Sequence, residues 1–163
     1  MEKIKDFVKY VLGDKRDKHG DLVFDKVQVI AAKEEGFHVD FVRRPEGGMG
    51  YNMHIPSKFK SLGFFTRLTL RHEVAHIIFE EMYRLDLDGI NQWMMMIEDH
   101  RLFMFVQNFW YWNRLLRWVK RKLGFSYNIQ YDPDDYYDDN GAFTRRDNEL
   151  FCDWFAIKEK VWK

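Results

Sequence analysis

The apolar positions change period along the chain, and each period predicts an element. Ile4, Phe7, Val8, Val11 and Leu12 recur at helical spacing, and Gly13 ends that helix. A charged loop follows over 14–21. Val27-Gln28-Val29-Ile30-Ala31-Ala32 and Phe37-His38-Val39-Asp40-Phe41-Val42 then read as two strands of a hairpin about Glu35-Gly36. Phe37, Val39 and Phe41 alternate with His38 and Asp40, the period-two mark of a half-buried strand; a helix over 21–35 is the competing assignment. Arg44-Pro45-Glu46-Gly47-Gly48 is a turn, and Tyr51, Met53 and Ile55 alternate in a third strand closed by Pro56. From there the period is helical: a helix over about 64–84, a turn at Asp86-Leu87-Asp88-Gly89, a long helix over about 91–122, and a last helix over about 144–162. A small antiparallel sheet followed by supporting helices is an α+β arrangement. No repeat or linker divides the sequence, so 1–163 is expected to be one domain.

The middle helix carries Arg71-His72-Glu73-Val74-Ala75-His76. Helical positions four apart share a face, so His72 and His76 can offer two imidazole nitrogens to one Zn²⁺. Glu73 falls beside them, within reach of a zinc-activated water, from which it would take a proton as general base. Leu68, Leu70, Val74, Ile77 and Ile78 form an apolar stripe that would bury the helix and hold the ligands rigid. The ordinary alternative is two histidines at this spacing by accident, with Glu73 at the surface.

This HExxH helix, preceded by a short meander, resembles the minimal catalytic core of the zincin metallopeptidases, and in particular the gluzincins. The resemblance covers about 27–79 and one later helix, and it implies a peptide-bond hydrolase whose third zinc ligand is a later glutamate. Arg146-Asp147-Asn148-Glu149-Leu150-Phe151-Cys152-Asp153 resembles the gluzincin glutamate helix, with Cys152 where alanine is frequent. It implies Glu149 as ligand, and Asp153, four residues on, as acceptor of the Nδ1 proton of a ligand histidine. The alternative third ligand is Glu98 or Asp99 in Ile97-Glu98-Asp99-His100-Arg101, which resembles a short Glu-Asp-x-Arg element of other HExxH proteins. If 85–89 closes a helical hairpin, Glu98 comes level with His76, and charges inside an apolar helix call for a partner or a metal; Arg101 would then neutralise Glu98. His100 and Tyr83 are candidate oxyanion donors, as are Tyr131, Tyr136 and Tyr137. The strand 51–55 precedes the metal helix, where zincins place an edge strand that pairs with extended peptide.

Composition narrows the remaining choices. Lysine plus arginine and aspartate plus glutamate number 26 each, so the formal net charge is zero and no global field recruits nucleic acid. The single cysteine, Cys152, excludes an internal disulfide. Met1-Glu2-Lys3-Ile4-Lys5 is charged and carries no apolar signal region, which gives the expectation of a cytoplasmic protein. The tract 93–112 is interrupted by Glu98-Asp99-His100-Arg101 and Gln107-Asn108, a poor membrane span. The acidic stretch 132–141 does not meet the EF-hand register and reads as a solvated loop. Arg114, Arg117, Lys120, Arg121 and Lys122, with Trp112 and Trp118, read as the exposed end of a helix. The expected partner is therefore a peptide or protein substrate. Two alternatives stand beside the enzyme: a zincin fold kept for regulation or peptide binding without turnover, and a nucleic-acid-associated component of a larger assembly.

Overall fold

The computed structural model describes residues 1–32, 36–43, 49–57, 59, 61–83, 87–112 and 145–158. Its elements are α1 (Glu2–Leu12), a 3₁₀ turn (Val23–Lys26), β1 (Val27–Ala32), β2 (His38–Arg43), β3 (Met49–Pro56), α2 (Phe64–Ile78), a π turn (Phe79–Tyr83), α3 (Leu87–Glu98), α4 (Arg101–Trp112) and α5 (Arg145–Lys158). This is an α+β chain. Its contacts fall into two compact units, Met1–Asp86 with Cys152–Lys163, and Leu87–Phe151. The stretches 113–122 and 132–141, with Tyr131, Tyr136 and Tyr137, lie outside the described residues. Among the described residues no helix is long and apolar enough to cross a membrane.

In the first unit, α1 buries Ile4, Val8, Val11 and Leu12. It stops where its apolar stripe stops, with Gly13 at φ 55° donating its N–H to the Lys9 carbonyl at 2.8 Å. A positive φ costs glycine little, so the chain turns there without strain. α1 packs against α2, and Phe7 faces two cations of that helix, Arg67 at 6.0 Å and the buried Arg71 at 5.9 Å from its ring centre.

The sheet corrects the sequence reading. β1 and β2 do not form a hairpin; both pair with β3, parallel for β1 and antiparallel for β2, in the order β1-β3-β2. The sheet is mixed rather than antiparallel. The physical reason lies in β3, whose Tyr51, Met53 and Ile55 are all fully buried. Burying side chains such as Met53 and Ile55 is worth roughly 1.5–3 kcal/mol each, so the most apolar strand takes the centre. Its neighbours present more exposed positions, as edge strands do. The strand 51–55 therefore has both edges paired and cannot add an extended peptide; the sheet edges belong to β1 and β2.

A polar network ties the sheet to the end of the α2 segment. Lys26 at the mouth of β1 lies 2.6 Å from Asp17 Oδ2 and donates to both carboxylate oxygens of Glu81, in the π turn, at 3.1 Å. The Tyr51 hydroxyl donates to Glu81 Oε1 at 2.5 Å. Asp17 Oδ1 in turn accepts the backbone N–H groups of His19 and Asp21 at 2.8 and 2.9 Å, which folds the charged loop 14–21 onto itself. The bond from Lys26 holds the Asp17 carboxyl at about 2, below its ordinary 3.8, against the opposing effect of burial. Burial also opposes the charge on Lys26, but its bonds to Asp17 and Glu81 outweigh it and raise the ammonium above 10.5.

In the second unit, one long helix is replaced by two. α3 ends at Glu98 and α4 begins at Arg101. His100 makes the break: its N–H reaches the Ile97 carbonyl at 3.1 Å, and its Nδ1 accepts the Phe103 N–H at 3.4 Å, a side-chain cap at the new N-terminus. Ile90, Ile97, Phe103, Leu150 and Phe151 are buried here, with Trp93 edge-on to Phe151 at 5.5 Å.

The Asp17 carboxyl fixes a pH dependence. A carboxyl whose folded pKa is depressed contributes stability above its unfolded value and loses it as pH falls through the folded value. Unfolding free energy should accordingly fall as pH drops from about 4 to about 2. Urea titrations across that window should show Asp17→Asn with a flatter dependence than wild type and lower stability at neutral pH.

Candidate metal centre

α2 forms where the sequence places it, with Leu70, Val74, Ala75, Ile77 and Ile78 buried and Leu68 half-buried. His72, Glu73 and His76 are half-buried, on a helix whose core face cannot rotate without exposing that stripe. The two imidazoles stand edge to face, ring centres 4.8 Å apart, and their Nε2 atoms approach to 3.1 Å. Two ring nitrogens this close cannot both carry a proton. At least one bare lone pair therefore points at the other ring.

The far nitrogens are both held from α5. His72 Nδ1 lies 2.8 Å from Asp153 Oδ1, the contact implied for that carboxylate. His76 Nδ1 lies 3.3 Å from the sulfur of Cys152. Consecutive residues of one helix thus meet two histidines one turn apart on another. With a proton on Nδ1 donated to each partner, the tautomer is set and Nε2 is left as the ligand nitrogen. In the sequence Cys152 shows only as a small residue. Its place beside Asp153 is a signal in principle, because helical neighbours about 100° apart can reach two imidazoles one turn apart.

Glu149 lies four residues before Asp153 in the same uninterrupted helix, hence on the same face one turn earlier. Its side chain is half-buried. Two imidazoles and a carboxylate are a donor set zinc favours. Ligands about 2.0–2.1 Å from one ion at tetrahedral angles stand about 3.4 Å apart, close to the 3.1 Å between the Nε2 atoms. The residues fit the metal.

Glu98, Asp99, His100 and Arg101 are exposed at the junction of α3 and α4, where the chain leaves helical geometry. Glu98 is an exposed carboxylate at the end of α3 rather than a charge buried inside one continuous helix. Among the described residues, the groups able to gather three ligands include neither Glu98 nor Asp99. His100 spends its Nδ1 on capping α4. Tyr83 closes the π turn, and its side chain lies outside the described ones.

Comparison with protein-family models, curated proteins and solved structures gives no match.

Removing either outer contact should loosen the metal without removing a ligand. Asp153→Ala is expected to weaken zinc about 10–100-fold, and Cys152→Ala by an amount toward the lower end of that range. Cys152→Ser should lose less than Cys152→Ala, because a hydroxyl still accepts from Nδ1. Competition against a zinc chelator, on variants shown to be folded by circular dichroism, gives the order directly.

Proposed function

We propose that the chain is a zinc-dependent metallopeptidase of gluzincin type, with His72, His76 and Glu149 as metal ligands and Glu73 as the catalytic carboxylate. The observation that carries this reading is the pair of Nε2 atoms 3.1 Å apart, with both Nδ1 atoms held from α5. A histidine pair built only for packing has no need of two separate Nδ1 acceptors that leave the inner nitrogens facing each other. The resemblance of 27–79 to the zincin core and of 146–153 to the glutamate helix supports the same assignment.

Zinc, when bound, supplies Lewis acidity that polarises the substrate carbonyl and brings the pKa of water down to about 7. Glu73 follows His72 directly and so stands beside the ligand pair on α2. Its carboxylate takes the proton of the attacking water and passes it to the departing amine, acting first as base and then as acid. Asp153 and Cys152 keep His72 and His76 in one orientation through both steps. The half-burial of the pair limits competing water. Extended substrate would align on an edge formed by β1 or β2, since β3 is paired on both sides.

The test separates chemistry from metal binding. Casein or a peptide library establishes cleavage by the wild-type protein with stoichiometric zinc. Glu73→Gln should then retain zinc and lose cleavage by at least about 100-fold, the scale of a general acid–base contribution. Glu149→Ala should lose zinc affinity more steeply than Asp153→Ala, and Glu98→Ala should stay near wild type. Equal cleavage by wild type and Glu73→Gln at matched zinc would refute the catalytic role. Stoichiometric zinc without cleavage by the wild type would favour a zincin fold kept for peptide binding or regulation.

A further inference from the structure

A second cluster of ligand-type side chains lies on the sheet and shares no residue with the HExxH pair. His38 and Asp40 are two apart on β2, hence on one face, and His54 on β3 is the direct cross-strand partner of His38. Asp40 sits opposite Asn52, so it is diagonal to His54 and within reach of its ring. This is the face opposite the one that buries Tyr51, Met53 and Ile55. The His38 and His54 rings stack nearly parallel, 5° between planes and 4.3 Å between centres. Both Nε2 atoms lie near the same oxygen: Asp40 Oδ2 is 3.0 Å from that of His54 and 3.9 Å from that of His38.

We infer that His38, Asp40 and His54 form a second binding site for a first-row divalent cation, on the outer face of the sheet. Three observations converge on it. One donor atom from each residue lies within 4.8 Å of the others. His54 Nε2 is a buried atom and, among the described residues, has no aligned hydrogen bond, although the Asp40 oxygen is only 3.0 Å away. That oxygen is therefore off the axis along which an N–H would donate, as it is when nitrogen and oxygen flank a common ion. Ligands about 2.1 Å from a metal and at right angles to one another stand about 3.0 Å apart, the separation found here.

The cation class follows from the donors. Two imidazole nitrogens and one carboxylate suit zinc, cobalt or nickel, whereas magnesium and calcium favour all-oxygen sets. Three protein ligands leave the remaining positions to water on this partly exposed face. Closing His38 from 3.9 Å needs only side-chain rotation, because Asp40 is exposed, His38 is half-buried and the paired backbone already fixes their spacing. Bound metal would cross-link β2, a sheet edge, to the central strand β3.

Titration of the full chain with Zn²⁺ alone, followed by calorimetry, tests the site independently of the HExxH reading. Asp40→Asn and His54→Gln, each checked for native circular dichroism, are expected to bind one equivalent fewer than wild type at micromolar free zinc. Two equivalents falling to one, or one falling to none, both support the site. His38→Gln should weaken the same equivalent at least about 10-fold, the cost of losing roughly 1.4 kcal/mol of binding. Unchanged stoichiometry and affinity in Asp40→Asn and His38→Gln would overturn the proposal, including if His54→Gln fails to fold.

Discussion

The candidate centre depends on one constraint: an imidazole can bind a metal only through a nitrogen without a proton, aimed by whatever holds the other nitrogen. Here the holding is done by two consecutive residues. Asp153 takes the Nδ1 of His72 and Cys152 that of His76. For both contacts to exist, α5 must lie against the ligand face of α2, and the chain must return there from more than seventy residues away. The core enforces this. Cys152, Trp154, Phe155 and Ala156 are buried, so α5 cannot slide along its axis without exposing an aromatic ring. Packing energy and ligand geometry are therefore secured by the same helix.

The other end of the α2 segment is fixed electrostatically. Glu81, in the π turn, receives both the Lys26 ammonium and the Tyr51 hydroxyl, so the turn is fastened to the first and the central strand together. Lys26 reaches a second carboxylate, Asp17, whose own backbone contacts order the loop before the sheet. A half-buried cation between two carboxylates is most valuable when both partners are present, because either one left alone would keep its desolvation cost. Loop, sheet and the α2 segment are thus joined through one ammonium group.

The two sides of the sheet do different things. On the inner side Tyr51, Met53 and Ile55 fill the core, and the alternation that buries them sends Asn52 and His54 outward. Cross-strand pairing then sets His38 against His54. The histidine cluster is a consequence of register, and a shift of one residue between β2 and β3 would abolish it.

Local pattern carried much of this into view from the residues alone. The α1 stripe and its glycine stop, the extent of the HExxH helix, the last helix and the four-residue spacing of Glu149 and Asp153 all depend on neighbours a few positions away, which the chain displays directly. Strand order did not, because Val27–Ala32 and the alternation through Phe41 look alike whether they pair with each other or flank a third strand; the deeper burial of β3 decided it. The long helix failed at Asp99-His100 because a side-chain cap competes with helix continuation there, and periodicity does not weigh the two. Cys152 shows in the sequence only as a small residue, because its partner, His76, lies far along the chain. The sequence by itself determined the spacing of His72 and His76 on one helix and of Glu149 and Asp153 on another. Only the tertiary structure decided which nitrogens face each other and what holds them, since those contacts join segments whose approach is set by the packing of the whole core.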